Sequence, residues 1–81
     1  MVKIFCMNLQ REIKKHVKGG VKVTHVDGVL IVSIYATENS VFRYTRKNIE
    51  DELVQGLTSS WLSNVIVKKY AKYVFDSYFM K

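Results

Sequence analysis

The sequence predicts an α+β fold in the order α-β-β-β-α-α: a three-stranded antiparallel meander with its helices packed on one face. Three observations carry this. An apolar stripe of helical period opens the chain, an Asp-Gly pair sits between two β-branched runs, and two capped helical segments close it.

The first helix is predicted over residues 2–18. At 100° per residue, Val2, Phe5, Cys6, Leu9, Ile13 and Val17 fall within about 120° of one another, a core-facing stripe. Lys3, Arg11, Lys14, Lys15 and Lys18 occupy the opposite side. Lysines in the last turn suit the helix dipole, and Gly19-Gly20 supplies a stop.

The stretch VKVTHVDGVLIVSIY is the most specific structural signal. Asp27-Gly28 calls for a two-residue type I′ turn, because both residues tolerate positive φ. That turn pairs Val26 with Val29. Val21, Val23 and His25 then share a face with Ile34, Val32 and Leu30, so turn chemistry and hydrophobic pattern select one register. A third strand is expected at VFRYT after a five-residue loop containing TENS. Pairing Tyr35 with Val41 sets Phe42 against Ile34 and Tyr44 against Val32. The reverse face would carry Lys22, Thr24, Val26, Val29, Ile31, Ser33, Tyr35, Val41 and Arg43. That is less polar than a solvated sheet face should be, so a segment of the chain or a partner is expected to cover it.

Asn48 is expected to cap a short helix, IEDELVQ, whose first-turn acids favour the positive end of its dipole. Gly56 ends it. Thr58 or Ser59 then caps a long helix over roughly residues 59–79. Counted from Trp61, Leu62, Ile66, Val67, Tyr70, Ala71, Tyr73, Val74 and Tyr78 lie between about 100° and 280°, one broad core-facing side. Lys68, Lys69, Lys72 and Asp76 lie on the other. Lysines and tyrosines that interleave in sequence therefore separate in space, which disfavours a lysine–tyrosine stacking strip. Trp61, Val65, Phe75 and Phe79 share the lysine side and are candidates for a contact, with the short helix or with another molecule.

With 81 residues, the chain is expected to form a single domain over 1–81 with a modest core. Apolar residues make up 48% and charged residues 25%, a globular balance. One cysteine, Cys6, has no intrachain partner and points to a reducing compartment, the cytosol of a cell. MVKIFCMNLQ does not form a signal peptide, and no apolar run is long enough for a membrane span.

Catalysis finds no motif: G-x-S-x-G and glycine-rich phosphate loops are absent. His25 on the inner sheet face and His16 at the edge of the first apolar stripe read as structural, and Cys6 as a small hydrophobe. One cysteine and two histidines without ligand spacing predict no metal and no cofactor. A non-enzymatic protein follows.

The net charge of +6 favours acidic partners. The cations cluster, as Lys14, Lys15, Lys18 and Lys22, as Arg43, Arg46 and Lys47, and as Lys68, Lys69 and Lys72; the acids concentrate in Glu50, Asp51 and Glu52. The cationic side of the first helix reads as a solvated face, a phosphate-contacting surface or a membrane-surface helix.

VKKYAK contains K-K-x-A-K and is similar to the start of the second helix in double-stranded-RNA-binding domains, which also run α-β-β-β-α. The resemblance covers Lys68 to Lys72 and implies lysines that contact phosphates across the major groove. The element order and size also resemble the small phage-encoded anti-CRISPR proteins of type II-A systems. There LQREIKKHVKGGVKV is similar to the first helix and strand, through Leu9, Arg11, Glu12, Ile13, Lys14 and Val21-Lys22-Val23. Those inhibitors characteristically mimic DNA with acidic surfaces, whereas this chain is basic. The resemblance implies a phage or mobile-element accessory protein that inhibits a host machine by binding, through guide RNA or an acidic protein surface.

The leading expectation is thus an inhibitor or modulator of a host protein or ribonucleoprotein complex, such as a CRISPR effector. Its partner-binding residues would be Trp61, Val65, Phe75, Phe79, Ile31 and Tyr35, and its acidic-partner or nucleic-acid contacts Arg11, Lys14, Lys15, Lys18, Arg43, Lys68, Lys69 and Lys72. The alternative is a basic domain that binds the backbone of double-stranded RNA or DNA. A homodimer burying the outer sheet face or the aromatics of the long helix is a third reading.

Overall fold

A computed structural model describes residues 2–37 and 40–79, without the side chains of residues 37 and 77–79. The elements are α1 (Val2–Lys14), β1 (Val21–Val26), β2 (Val29–Thr37), β3 (Ser40–Lys47), α2 (Ile49–Val54) and α3 (Ser59–Phe79). The sheet order is β1-β2-β3, antiparallel throughout, so the fold is the expected α-β-β-β-α-α meander.

The hairpin forms as its turn chemistry dictates. Asp27 and Gly28 both take positive φ, 52° and 76°. Val26 pairs with Val29, Val23 with Val32 and Val21 with Ile34. On the other side of β2, Tyr35 pairs with Val41, Ile34 with Phe42 and Val32 with Tyr44. The β2–β3 connection is tighter than a five-residue loop, because Thr37 also pairs with Ser40 across an irregularity after Tyr35. Glu38 and Asn39 lie outside the described residues.

The inner sheet face contributes Val21, Leu30, Val32 and Ile34 to the core, against Phe5, Cys6, Leu9 and Ile13 of α1, Ile49 of α2, and Leu62 and Ile66 of α3. α2 has six residues, too short to hold its own hydrogen bonds in water. Its anchor is Ile49, which is fully buried. Gln10 ties α1 to the sheet, its Oε1 accepting the Val23 N–H at 3.3 Å.

Four local expectations are corrected. α1 ends at Lys14 rather than residue 18, and the chain tightens there, with Lys15 N–H donating to the Glu12 carbonyl (3.3 Å) and His16 N–H to that of Ile13 (2.9 Å). The cause is tertiary: Tyr35 N–H donates to the Gly20 carbonyl at 2.9 Å, so the chain must leave the helix early enough to bring Gly19-Gly20 against β2. Asn48 precedes α2 but makes no side-chain cap; it takes the left-handed conformation, φ 58°, which asparagine tolerates. His16 is exposed instead of bordering the core. Finally, Ala71 and Val74 are exposed, although their helical angle points to the core side. α3, at 21 residues, is about 31 Å long against about 20 Å for α1, so its last turns outrun the core. Tyr73 still returns to the body: its hydroxyl hydrogen-bonds Ser40 Oγ, and its ring centroid lies 5.4 Å from that of Phe42.

Gly56 does end α2, with φ 96°. Gly56 N–H donates to the Leu53 carbonyl and Leu57 N–H to that of Glu52, the paired bonds of a Schellman stop. Thr58 then caps α3, its Oγ1 accepting the Trp61 N–H at 3.2 Å.

Candidate binding surfaces

The sheet register defines the first surface. Because all three helices pack on the inner face, the outer face is uncovered by the described residues of this chain. Its side chains form four rows across the strands. Tyr35 and Val41 make the first, Lys22, Ser33 and Arg43 the second, Thr24, Ile31 and Thr45 the third, and Val26, Val29 and Lys47 the fourth. Val26 is 54% exposed, Tyr35 45% and Val41 39%, while Ile31 is half-buried by its neighbours. Lys22, Arg43 and Lys47 are exposed. No carboxylate occupies any of these rows, but Lys47, at the end of β3, shares a hollow with Asp27, Glu50 and Asp51, whereas Lys22 and Arg43 have no ion-pair partner among the described residues.

The second surface is the outer side of α3. Trp61, Val65, Lys68, Lys72 and Phe75 follow one another at helical spacing, with Trp61 49% and Phe75 60% exposed and Val65 half-buried. Lys69 is exposed beside them, and the Phe79 side chain lies outside the described residues. Trp61 has an internal partner. The Arg46 guanidinium sits over its ring, 5.5 Å from the centroid, a cation–π contact across the junction of β3 and α3. Arg46 is fixed from three sides. It donates Nε–H to Glu52 Oε2 and Nη1–H to the Tyr44 hydroxyl (3.0 Å), besides lying on Trp61. The Glu52 hydrogen bond first, then that of Tyr44, raises the Arg46 pKa above its usual value. Arg46 therefore acts as a clamp between β3, α2 and α3, and Trp61 meets a side chain of β3, a contact the sequence did not suggest.

The third surface is the cationic side of α1 and the turn beyond it. Arg11, Lys14, Lys15 and Lys18 are all exposed; Lys15 pairs with Glu12 at 3.2 Å. Ile4, 64% exposed, and Met7, 57%, share this side.

The candidate residues therefore do not form one site. Ile31, Tyr35 and Arg43 come together on the outer sheet face, with Val26, Val41, Lys22 and Lys47 added by the register. Trp61, Val65, Phe75 and Lys68, Lys69 and Lys72 share α3. The α1 cations stand apart from the outer face, on the helical side of the sheet. The Arg46 clamp has no sequence signal beyond an arginine six residues before a glutamate, since its geometry depends on how α2 folds back.

The acidic cluster is divided, with Glu50 and Asp51 exposed beside Asp27 and Lys47 and Glu52 turned to the body of the fold. Glu52 is held by Arg46, and Glu50 Oε1 lies 4.0 Å from His25 Nε2. The His25 side chain is 18% exposed on the inner sheet face, with its Nε2 buried and without a hydrogen bond among the described residues. Cys6 is buried in the core stripe, and desolvation pushes its thiol pKa up. Among the described residues, no group of three or more His, Cys, Asp or Glu could hold a metal ion, and no helix is long and apolar enough to cross a membrane. Comparison with protein-family models, curated proteins and solved structures returns no match.

Proposed function

We propose that this chain acts by binding, as a phage or mobile-element accessory protein that inhibits or modulates a host nucleoprotein machine such as a CRISPR effector in the bacterial cytoplasm. The observation that carries the reading is the uncovered outer sheet face. It combines exposed Tyr35, Val26 and Val41 with Lys22 and Arg43, which have no ion-pair partner among the described residues, a mixture suited to an acidic protein surface. Tyrosine and arginine are the residue types that concentrate binding energy at interfaces, and Tyr35 and Arg43 occupy adjoining rows. DNA mimicry is disfavoured by the net charge of +6 and by the pairing of Glu52 with Arg46, which leaves few acids at the surface.

A tagged chain incubated with bacterial lysate at low salt tests the reading. A nucleoprotein complex should be retained, and retention should survive nuclease treatment because the contact is with protein. Loss of the complex on nuclease treatment would favour the second reading, binding to a nucleic-acid backbone. What supports that second reading is the state of the helical cations: of Arg11, Lys14, Lys15, Lys18, Lys68, Lys69 and Lys72, only Lys15 has an ion-pair partner among the described residues. Duplex RNA or DNA bound this way would dissociate steeply with salt. A homodimer through the sheet face is disfavoured by charge, since it would bring Lys22 and Arg43 of one copy toward those of the other, with no carboxylate in their row.

A further inference from the structure

We infer that the outer sheet face takes an acidic segment of a partner protein, one that sets an apolar side chain beside carboxylates. The inference rests on the binding reading above and assigns its site and ligand chemistry. Lys22 and Arg43 lie one strand to either side of Ser33, about 10 Å apart. Lys47 lies four residues along β3 from Arg43, about 13 Å away. Lys22 and Arg43 border the uncharged row of Thr24, Ile31 and Thr45, where the half-buried Ile31 is the apolar floor; Lys47, on the far side of that row, lies beside Asp27, Glu50 and Asp51 and contributes less. Tyr35 closes one end as a rigid amphipathic anchor.

Charge selects among the occupants. A second copy of the chain would present the same cations to each other. A nucleic-acid single strand would meet the phosphate requirement but not the stacking one. Single-strand platforms stack successive bases on several aromatics, whereas among the described residues the rows of this face carry one aromatic, Tyr35, at the end. An acidic polypeptide satisfies both the cations and the apolar floor.

The test is an amide-resolved NMR titration of the full isotope-labelled chain with three probes: a synthetic peptide of leucines flanked by glutamates, an all-glutamate peptide of equal charge, and oligo(dT). The leucine–glutamate peptide should bind tightest and shift Ile31, Ser33, Arg43 and Thr45. Arg43→Glu, a change at an exposed side chain whose fold the same spectrum verifies, should weaken it by on the order of tenfold. Shifts confined to α1 or α3, equal binding of the all-glutamate peptide, or tighter binding of oligo(dT) overturns the inference. If any of these occurs while nuclease-resistant capture persists, the site assignment alone fails. If the leucine–glutamate peptide binds as described but no host complex is captured, the functional reading alone fails.

Discussion

Replacing Gly19 with alanine tests how the chain is routed from α1 into the sheet. A Cβ at Gly19 would lie 1.8 Å from the carbonyl oxygen of Tyr35 and 3.0 Å from its carbonyl carbon. Carbon–oxygen contacts normally stand at about 3.3–3.6 Å, so roughly 1.5 Å of separation is missing. The obstacle is backbone, and no rotamer change relieves it. β2 or the Gly19-Gly20 segment must move, which strains or breaks the bond from Tyr35 N–H to the Gly20 carbonyl. Overpacking costs about 1–3 kcal/mol, and a lost hydrogen bond adds about 1 kcal/mol. The expected total, about 3 kcal/mol, is a large share of the roughly 4–12 kcal/mol available to a chain of this size. It corresponds to a fall in Tm of about 12–24 °C. Gly20→Ala is the control, because its Cβ would meet only the Tyr35 ring, at 3.4 Å. Its effect should stay below about 1 kcal/mol. Thermal and urea melts followed by far-UV circular dichroism measure both. Equal losses in the two variants, or an unchanged Gly19→Ala, would refute the close approach as the reason for glycine there.

Thr58→Ala removes the acceptor for the Trp61 N–H and should cost about 1 kcal/mol in urea unfolding. Ser59→Ala, one residue inside α3, should cost appreciably less; the reverse order would move the cap to Ser59. Burial raises the Cys6 thiol above its ordinary 9.0, so the folded state holds the proton more tightly than the unfolded one. Stability should therefore be undiminished by this group below its ordinary value and fall as pH rises through it toward the higher folded pKa. Cys6→Ala should flatten that alkaline limb in pH-dependent melts, and an identical limb in both proteins would assign it to other groups.

The parts of the fold legible in the sequence are those fixed locally. Asp27-Gly28 and the alternation of Val21, Val23, Leu30, Val32 and Ile34 set the hairpin register by two independent constraints, and the third strand inherits it. The end of α1 was not legible, because helical periodicity continues through Val17 while the actual stop depends on Gly20 meeting Tyr35 across the sheet. Asn48 shows the same limit: its residue type suits both a side-chain cap and a left-handed turn, and packing of Ile49 decides between them. Ala71 and Val74 have the right helical angle for a core, but angle says nothing about how far the core extends along α3. On the outer face, the surplus of apolar side chains follows from alternation alone. The triangle of Lys22, Arg43 and Lys47 emerges only when three strands are in register. For Trp61, period placed it on the lysine side; the clamp by Arg46 depends on how β3, α2 and α3 pack.

The central claim is that the outer sheet face engages an acidic protein surface of a host nucleoprotein complex. The most direct measurement compares nuclease-resistant retention of that complex by the unaltered chain and by Arg43→Glu. The account predicts retention by the first and its loss by the second. Retention that disappears with nuclease for the unaltered chain, or that persists undiminished with Arg43→Glu, contradicts it.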